Sequence, residues 1–292
     1  MSVFRLGEKP YPTQILQRKL YELLLQGKRI DGRGLLQHRP VKVELNVVEK
    51  AEGSAMVTVG KTRVVAGVKY DLGSPYPDTP DKGNLTVNAE LLPLASRTFE
   101  PGPPDENAIE LSRFVDRCIR ESQALRLDQL VYVPGQRVGV VYVDVYVLDF
   151  DGDYFAPAVL AATAALASAR VQRYEVQGGV VTKVEGERVP LPLVKLPTAA
   201  MIGILRDKII VDPTALEEPA LDASVVIGWG ADEELAAIQK DSPGLIPESI
   251  IDDIIEVSRT VTMRLRRTLA EALKGVWSPE LVKPQEEKVS EA

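Results

Sequence analysis

Residues 137–169, "RVGVVYVDVYVLDFDGDYFAPAVLAATAALASA", run from an alternating β-branched segment through three aspartates and a glycine into an alanine-rich one. The first part has the period of two expected of a long strand. The last, "APAVLAATAALASA", has the composition of a helix that can lie close against a sheet. Between them Asp149, Asp151, Gly152 and Asp153 end the strand with carboxylates spaced two apart. Whether those carboxylates form a site or a turn decides how the rest of the chain is read.

Three readings compete. A calcium loop of the EF-hand type needs a glycine at its sixth position and a glutamate at its twelfth. Counted from Asp149, Gly152 misses the sixth place and the twelfth residue is Leu160, so that reading fails. A magnesium-dependent phosphatase is the second: "VYVLDFDGD" looks like the strand-end signature of haloacid dehalogenase-like enzymes, with Asp149 and Asp151 as nucleophile and proton carrier. That signature ends the first strand of a doubly wound domain, whereas this one follows a meander. Its later Ser/Thr, Lys and acidic pair are missing from strand ends, and Asp252 and Asp253 fall inside an Ile-rich helix. The third reading is a turn in which Asp153 or a neighbour caps the following helix.

Outward from this stretch the organisation is regular. Residues 13–26 have helical spacing, with Thr13 as N-cap and Gly27 just past the end. After "KRIDGRG", residues 41–70 form a meander of three strands, and a Pro/Asp-rich loop leads to the strand "NLTVNAELLPL". The loop "EPGPPDEN" precedes a helix over 106–124. From about 171 the pattern starts again, with strands at 198–205, 208–212 and 223–229 and a long helix over 247–274. These patterns predict an α+β protein of two similar layered halves. The divisions expected are an N-terminal helical segment to 28, a first domain over 29–170, a second over 171–276, and a disordered tail over 277–292.

With 292 residues and 45% hydrophobic content, the chain can bury a sizeable core. No apolar run approaches the roughly 20 residues that span a bilayer, and "MSVFRLGEKPYPTQ" carries no secretory h-region. A single cysteine, Cys118, excludes an internal disulfide framework and fits a reducing cytoplasm. The lone histidine, His38, excludes a His-rich metal site and reads as structural or surface. A net charge of −7 argues against a general nucleic-acid coat but leaves room for a local basic patch.

Five segments in order carry a resemblance: "KRIDGRG" (28–34), "GSAMVTVGKTRVVAGVK" (53–69), "GNLTVNAELLPLASRTFEPGPPDENAIELSRFVDRCIRES" (83–122), "VYVDVYVLDFDG" (141–152) and "DPTALEEPALDASVVIG" (212–228). Together they are similar to the RNase PH family, and within it to the non-catalytic ring subunits of archaeal exosomes. The resemblance implies two related β-α domains of RNase PH type (ribosomal protein S5 domain 2-like), mixed sheets with helices packed on them. It implies phosphorolysis as the family's chemistry, in which phosphate attacks the 3′-terminal linkage of RNA. No cofactor of this chain's own is implied. The partners implied are a catalytic RNase PH-like subunit alternating in a hexameric ring, RNA-binding cap subunits and single-stranded RNA, with no membrane.

Active members follow the strand that ends here at Asp151 with Gly-Gly-Thr-Arg, which holds phosphate. This chain has Gly152, Asp153, Tyr154 and Phe155, an acid and an apolar ring where an anion and its arginine belong. Active members also carry two aspartates six residues apart; Asp222 matches the second and Leu216 stands at the first, with Glu217 and Glu218 offset. Along a strand such an offset turns a side chain to the other face, so the glutamates are not counted as replacements. The expectation is a subunit without catalytic residues. The alternative is that the chain is itself a phosphate-dependent 3′–5′ exoribonuclease.

For RNA contact the candidates are Arg113, Arg117 and Arg120, within about 60° of one another on a helix, and Arg97 just before the Pro/Gly loop. Against this, Glu110 and Asp116 are spaced to make routine intrahelical pairs. Arg264, Arg266 and Arg267 read as a solvated helix face, and "RIDGR" as a turn whose arginines pair with carboxylates.

Overall fold

The structure is a computed structural model that describes residues 13–230 and 234–279. Helix α1 (Thr13–Leu25) opens the described chain. It ends in a Schellman turn: Lys28 N–H donates to Leu23 O at 3.0 Å and Gly27 N–H to Leu24 O at 3.0 Å, with Gly27 at φ +70°. Thr13 is already helical rather than the cap, so the capping position lies outside the described residues.

The meander follows as β1 (Val41–Leu45), β2 (Gly53–Val59) and β3 (Thr62–Gly73), and then β4 (Asn84–Leu91). Helix α2 (Glu106–Glu121) is capped by Asp105, whose carboxylate accepts the Ala108 N–H at 2.9 Å. It stops short of 124 because Gln123 turns into positive φ, +52°. After β5 (Val131–Val133) comes the long strand β6 (Arg137–Asp149). The sheet order is β1-β2-β3-β6-β4, with β5 also pairing β6. Only β4 is parallel to its partner, β6, which α2 makes possible by carrying the chain back across.

Helix α3 (Phe155–Ser168) is buried along its whole length. A helix apolar on every side needs apolar cover on every side. One face receives β2 and β3, the other β9 (Thr198–Leu205) of the second half. Small side chains let the layers approach: a Cβ on Gly53 would collide with the Ala165 carbonyl. One hydrophobic core therefore runs through both halves, centred on the alanine-rich stretch.

Between the halves lies a hairpin that the strand patterns did not reveal, β7 (Arg170–Gln177) and β8 (Val180–Pro190). Both faces are largely wet and rich in charge, so no alternation marks it. Its turn, Gly178-Gly179 at φ +57° and +78°, is nevertheless a two-residue hairpin signal. The second sheet is β10-β9-β11-β12, with β10 (Lys208–Val211), β11 (Ala223–Trp229) and β12 (Leu235–Lys240). Helix α4 (Ile251–Ala272) packs on it through Ile254, Val261, Leu265 and Leu269, after a short 3-10 turn over Glu248–Ile250. α1 closes the other side, with Leu20 and Leu24 against Leu205, Ile210 and Leu221.

Arg266 corrects the reading of a solvated face. It is half-buried, donating from Nε to Leu196 O at 2.9 Å and from Nη2 to Trp229 O at 3.2 Å, so it ties α4 to the end of β11. Arg264 and Arg267 are exposed. The tail expected to be disordered lies, beyond residue 279, outside the described residues. Among the described residues no helix is long and apolar enough to cross a membrane.

Candidate functional site

The "RIDGR" turn docks on the loop that follows β10. Gly32 takes φ +85° and Asp31 accepts the Arg33 N–H at 3.1 Å. Arg29 and Glu217 form a fully buried ion pair, Nε to Oε1 2.9 Å, and Arg29 also donates to Val211 O and Asp212 O. Asp212, at φ +52°, collects donors: Arg39 N–H and Nε at 2.8 Å, Arg39 Nη2 at 2.6 Å and Arg33 Nη1 at 3.0 Å. Burial alone would raise the pKa of this carboxyl, but the hydrogen bonds and charge of Arg39, with His38 nearby, hold it below the ordinary value.

Arg39 then reaches the aspartate cluster. Its Nη1 donates to Asp151 O at 2.5 Å, and Thr62 links in by donating its hydroxyl to Gly152 O at 2.7 Å. Gly152 has φ +85°, and a Cβ there would collide with the Pro213 carbonyl, so the loop from β6 presses directly on the loop after β10. Asp153 caps α3: its Oδ1 accepts the Phe155 N–H at 2.9 Å and the Ala156 N–H at 3.1 Å. Its own N–H donates to Glu218 Oε1 at 2.8 Å. The second oxygen, Oδ2, is buried without a hydrogen-bond partner among the described residues. Burial, reinforced by the charge of Asp212, pushes the Asp153 carboxyl up to about 7, and burial pushes Glu218 well above its ordinary value. Phe155 is buried edge-on against Phe114, ring centres 5.5 Å apart, and Tyr154 stacks on it at 4.8 Å.

The chemical meaning is direct. A helix N-terminus offers amide N–H groups and a partial positive charge to an anion. Here the amides of residues 155 and 156 are taken by the Asp153 carboxylate and that of 153 by Glu218. The nearby guanidinium, Arg39, is saturated by Asp212. The amide donors at this helix N-terminus are occupied by the chain's own carboxyl groups.

The segment 212–222 is not a strand but a loop with a 3-10 turn at Glu218–Ala220, so the parity argument against the glutamates does not apply. Glu217 turns to Arg29 and Glu218 to Asp153, while Leu216 is 62% exposed. Asp222 is exposed, and its Oδ2 accepts the Arg206 N–H at 2.5 Å. The phosphatase arrangement does not form either, since β6 lies antiparallel to β3 beside a meander.

The structure divides the four arginines. Arg120 grips Asp116 with two bonds of 3.1 and 2.7 Å and donates to Leu85 O. Arg117 donates to Gln239 Oε1 at 2.9 Å, bridging α2 and β12. Arg113 is 69% exposed, with Asp116 4.0 Å away. Arg97 is exposed and makes no hydrogen bond or ion pair among the described residues. Sequence reasoning set Glu218 aside and missed Gln239 and the Arg39–Asp212 pair; their partners are too distant in the chain for any spacing to reveal them.

The sequence profile of domain 1 of the 3′ exoribonuclease family, RNase PH, matches residues 37–172, and that of domain 2 matches 195–261. The chain belongs to the RNase PH family. Among its RNase PH relatives, the exosome complex component Rrp42 of Pyrococcus abyssi is 43% identical over 262 residues, covering 89% of this chain and 95% of that protein. The component of the same name from Archaeoglobus fulgidus is 45% identical over 250 residues, covering 85% and 93%. Of solved structures, a chain of the Archaeoglobus fulgidus exosome with RNA bound to the active site superposes with a TM-score of 0.80 at 42% identity, over 88% of this chain and 98% of that one. An archaeal exosome core chain gives 0.77 at 39% identity, over 88% and 97%. Rice Rrp46, at 23% identity and a TM-score of 0.64 over 84% of this chain and all of that one, shares the RNase PH fold.

Proposed function

We propose that this chain is a non-catalytic subunit of an archaeal-type exosome, a 3′–5′ RNA-degrading ring. In this reading it alternates with a catalytic RNase PH-like subunit in a hexamer, helps to shape that subunit's active site and guides single-stranded RNA. RNA-binding cap subunits complete the assembly, in the cytoplasm. The relatives named as exosome components, similar along nearly their full length, support the assembly. The observation that carries the lack of catalysis is Asp153, whose carboxylate occupies the amides of α3 where a phosphate would bind, with Phe155 in the place of an arginine. Arg97 and Arg113, exposed and weakly engaged, are the residues of this chain assigned to RNA; Arg117 and Arg120 shape the face that presents them.

The test is a degradation assay on end-labelled RNA with phosphate and Mg²⁺, run on this chain, on its catalytic partner and on the mixture. Activity should require the partner and rise in the mixture. Release of nucleoside diphosphates by this chain alone would overturn the reading in favour of an active exoribonuclease.

A further inference from the structure

On α2, Glu110 stands three residues before Arg113 and Asp116 three residues after it. At that spacing either carboxylate can fold onto the guanidinium and cancel its charge. Neither does so closely. Asp116 is held by the two bonds from Arg120, and its carboxylate stays 4.0 Å from Arg113 Nη1. Glu110 is engaged by the other half of the fold: its Oε1 accepts a hydrogen bond from Gln239 Nε2, on β12. No ion pair joins Glu110 to Arg113 among the described residues.

The amide of Gln239 can lie only one way. A carboxylate accepts and a guanidinium only donates, so the amide NH₂ goes to Glu110 and the amide oxygen to Arg117, whose Nη2 donates to it at 2.9 Å. Arg117 is fixed a second time by its Nε, which donates to Arg113 O at 3.4 Å. One glutamine therefore ties down both the acid and the second arginine of this face, and Arg113 is left as its exposed charge.

We propose that Gln239 is a positioning residue for RNA binding: by holding Glu110, it keeps the Arg113 guanidinium free to meet a phosphate of the RNA. The inference rests on the reading in which Arg113 contacts RNA, and adds to it a dependence on a strand of the second half.

The test uses the complex of this chain with its catalytic partner and end-labelled single-stranded RNA, without phosphate so that no phosphorolysis runs. Gln239→Ala releases Glu110, which then pairs with Arg113. An exposed pair at this spacing is weak, so RNA binding at low salt should fall about two- to threefold. The loss should shrink at high salt, where ions screen the pair. Adding Glu110→Gln to Gln239→Ala should restore binding, whereas Glu110→Gln alone should change little, because that acid is already held. In an Arg113→Ala background Gln239→Ala should have no further effect, since the charge it protects is gone. With phosphate present, the loss should fall on KM for RNA and leave kcat unchanged. A glutamine that only braces the fold would instead lower the melting temperature with no rescue by Glu110→Gln.

Parent-like binding by Gln239→Ala, while Arg113→Ala is weakened, would overturn the positioning role and leave the RNA reading intact. An equal gain from Glu110→Gln with and without Gln239 would also overturn it, as a general effect of charge. So would a further loss from Gln239→Ala in the Arg113→Ala background. Unchanged binding by Arg113→Ala would overturn the assignment of Arg113 to RNA, and this inference with it.

Discussion

Arg39 and Asp212, 173 residues apart in sequence, form a buried two-pronged ion pair, Nε to Oδ2 2.8 Å and Nη2 to Oδ1 2.6 Å. It joins the entry to β1 to the exit from β10, and so locks the halves across the loop that carries Gly152. Removing one member strands the other charge in a buried position. Asp212→Ala should cost about 3–5 kcal/mol, read as a lowered denaturant midpoint. Asp212→Asn, which tolerates the φ of +52° at that position, separates the charge from the backbone and should recover part of the loss.

Asp153 gives the clearest dependence on pH. Its folded pKa of about 7 stands above the ordinary 3.8, so between these values the folded chain keeps a proton that the unfolded chain has released. Stability from this group is full below pH 3.8 and falls as pH rises to 7, by on the order of 4 kcal/mol in all. Asp153→Asn keeps an oxygen for the Phe155 and Ala156 amides but cannot ionise. Urea midpoints at pH 5 and pH 8 should therefore differ less in the variant than in the parent. Glu218 and Asp241 are also raised and slope the same way, so the difference between the two curves is the quantity to compare.

Rebuilding the family's phosphate loop should fail. Asp153→Gly, Tyr154→Thr and Phe155→Arg together place a guanidinium where Phe155 now packs on Phe114, with 1% of its surface exposed. The lost ring and the buried charge should cost roughly 3 kcal/mol or more. Glu218 would still face the amide of residue 153. The expected outcome is a lower melting temperature and no phosphate-dependent release of nucleoside diphosphates. Turnover by this variant would show that the anion place is open after all.

Arg113 and Arg120 should behave differently although they lie on one helix. Arg113→Ala leaves stability within about 0.5 kcal/mol. It should weaken RNA binding by the complex and flatten its salt dependence by about 0.7 in log–log slope for each phosphate that Arg113 neutralises. Arg120→Ala instead frees Asp116, whose side chain is 8% exposed, and removes the donor to Leu85 O. It should lower stability by about 1–3 kcal/mol with the salt slope unchanged. Filter-binding titrations across salt concentrations, paired with thermal melts, distinguish the two.

Much was legible because it is local. The alternation along β6, the alanines of α3, the stripe of α4 and the glycine after α1 each follow from spacing and backbone preference within a few residues. Asp153 as a cap belongs with them, since it binds amides two and three residues ahead. The hairpin of β7 and β8 was obscured because exposed strands need no alternation, and β12 because "LAAIQK" suits a helix as well as an edge strand.

Spacing and composition along the chain were enough for the α+β order of elements and for its two similar halves. Tertiary structure alone decided which carboxylate goes where. Glu217 meets Arg29 across 188 residues, and Glu218 reaches the Asp153 amide across 65. The physical reason is that neighbouring side chains in a turn diverge by an amount that periodicity does not fix. Their partners come from the other half of the fold and are in place only once the shared core has brought the two halves together.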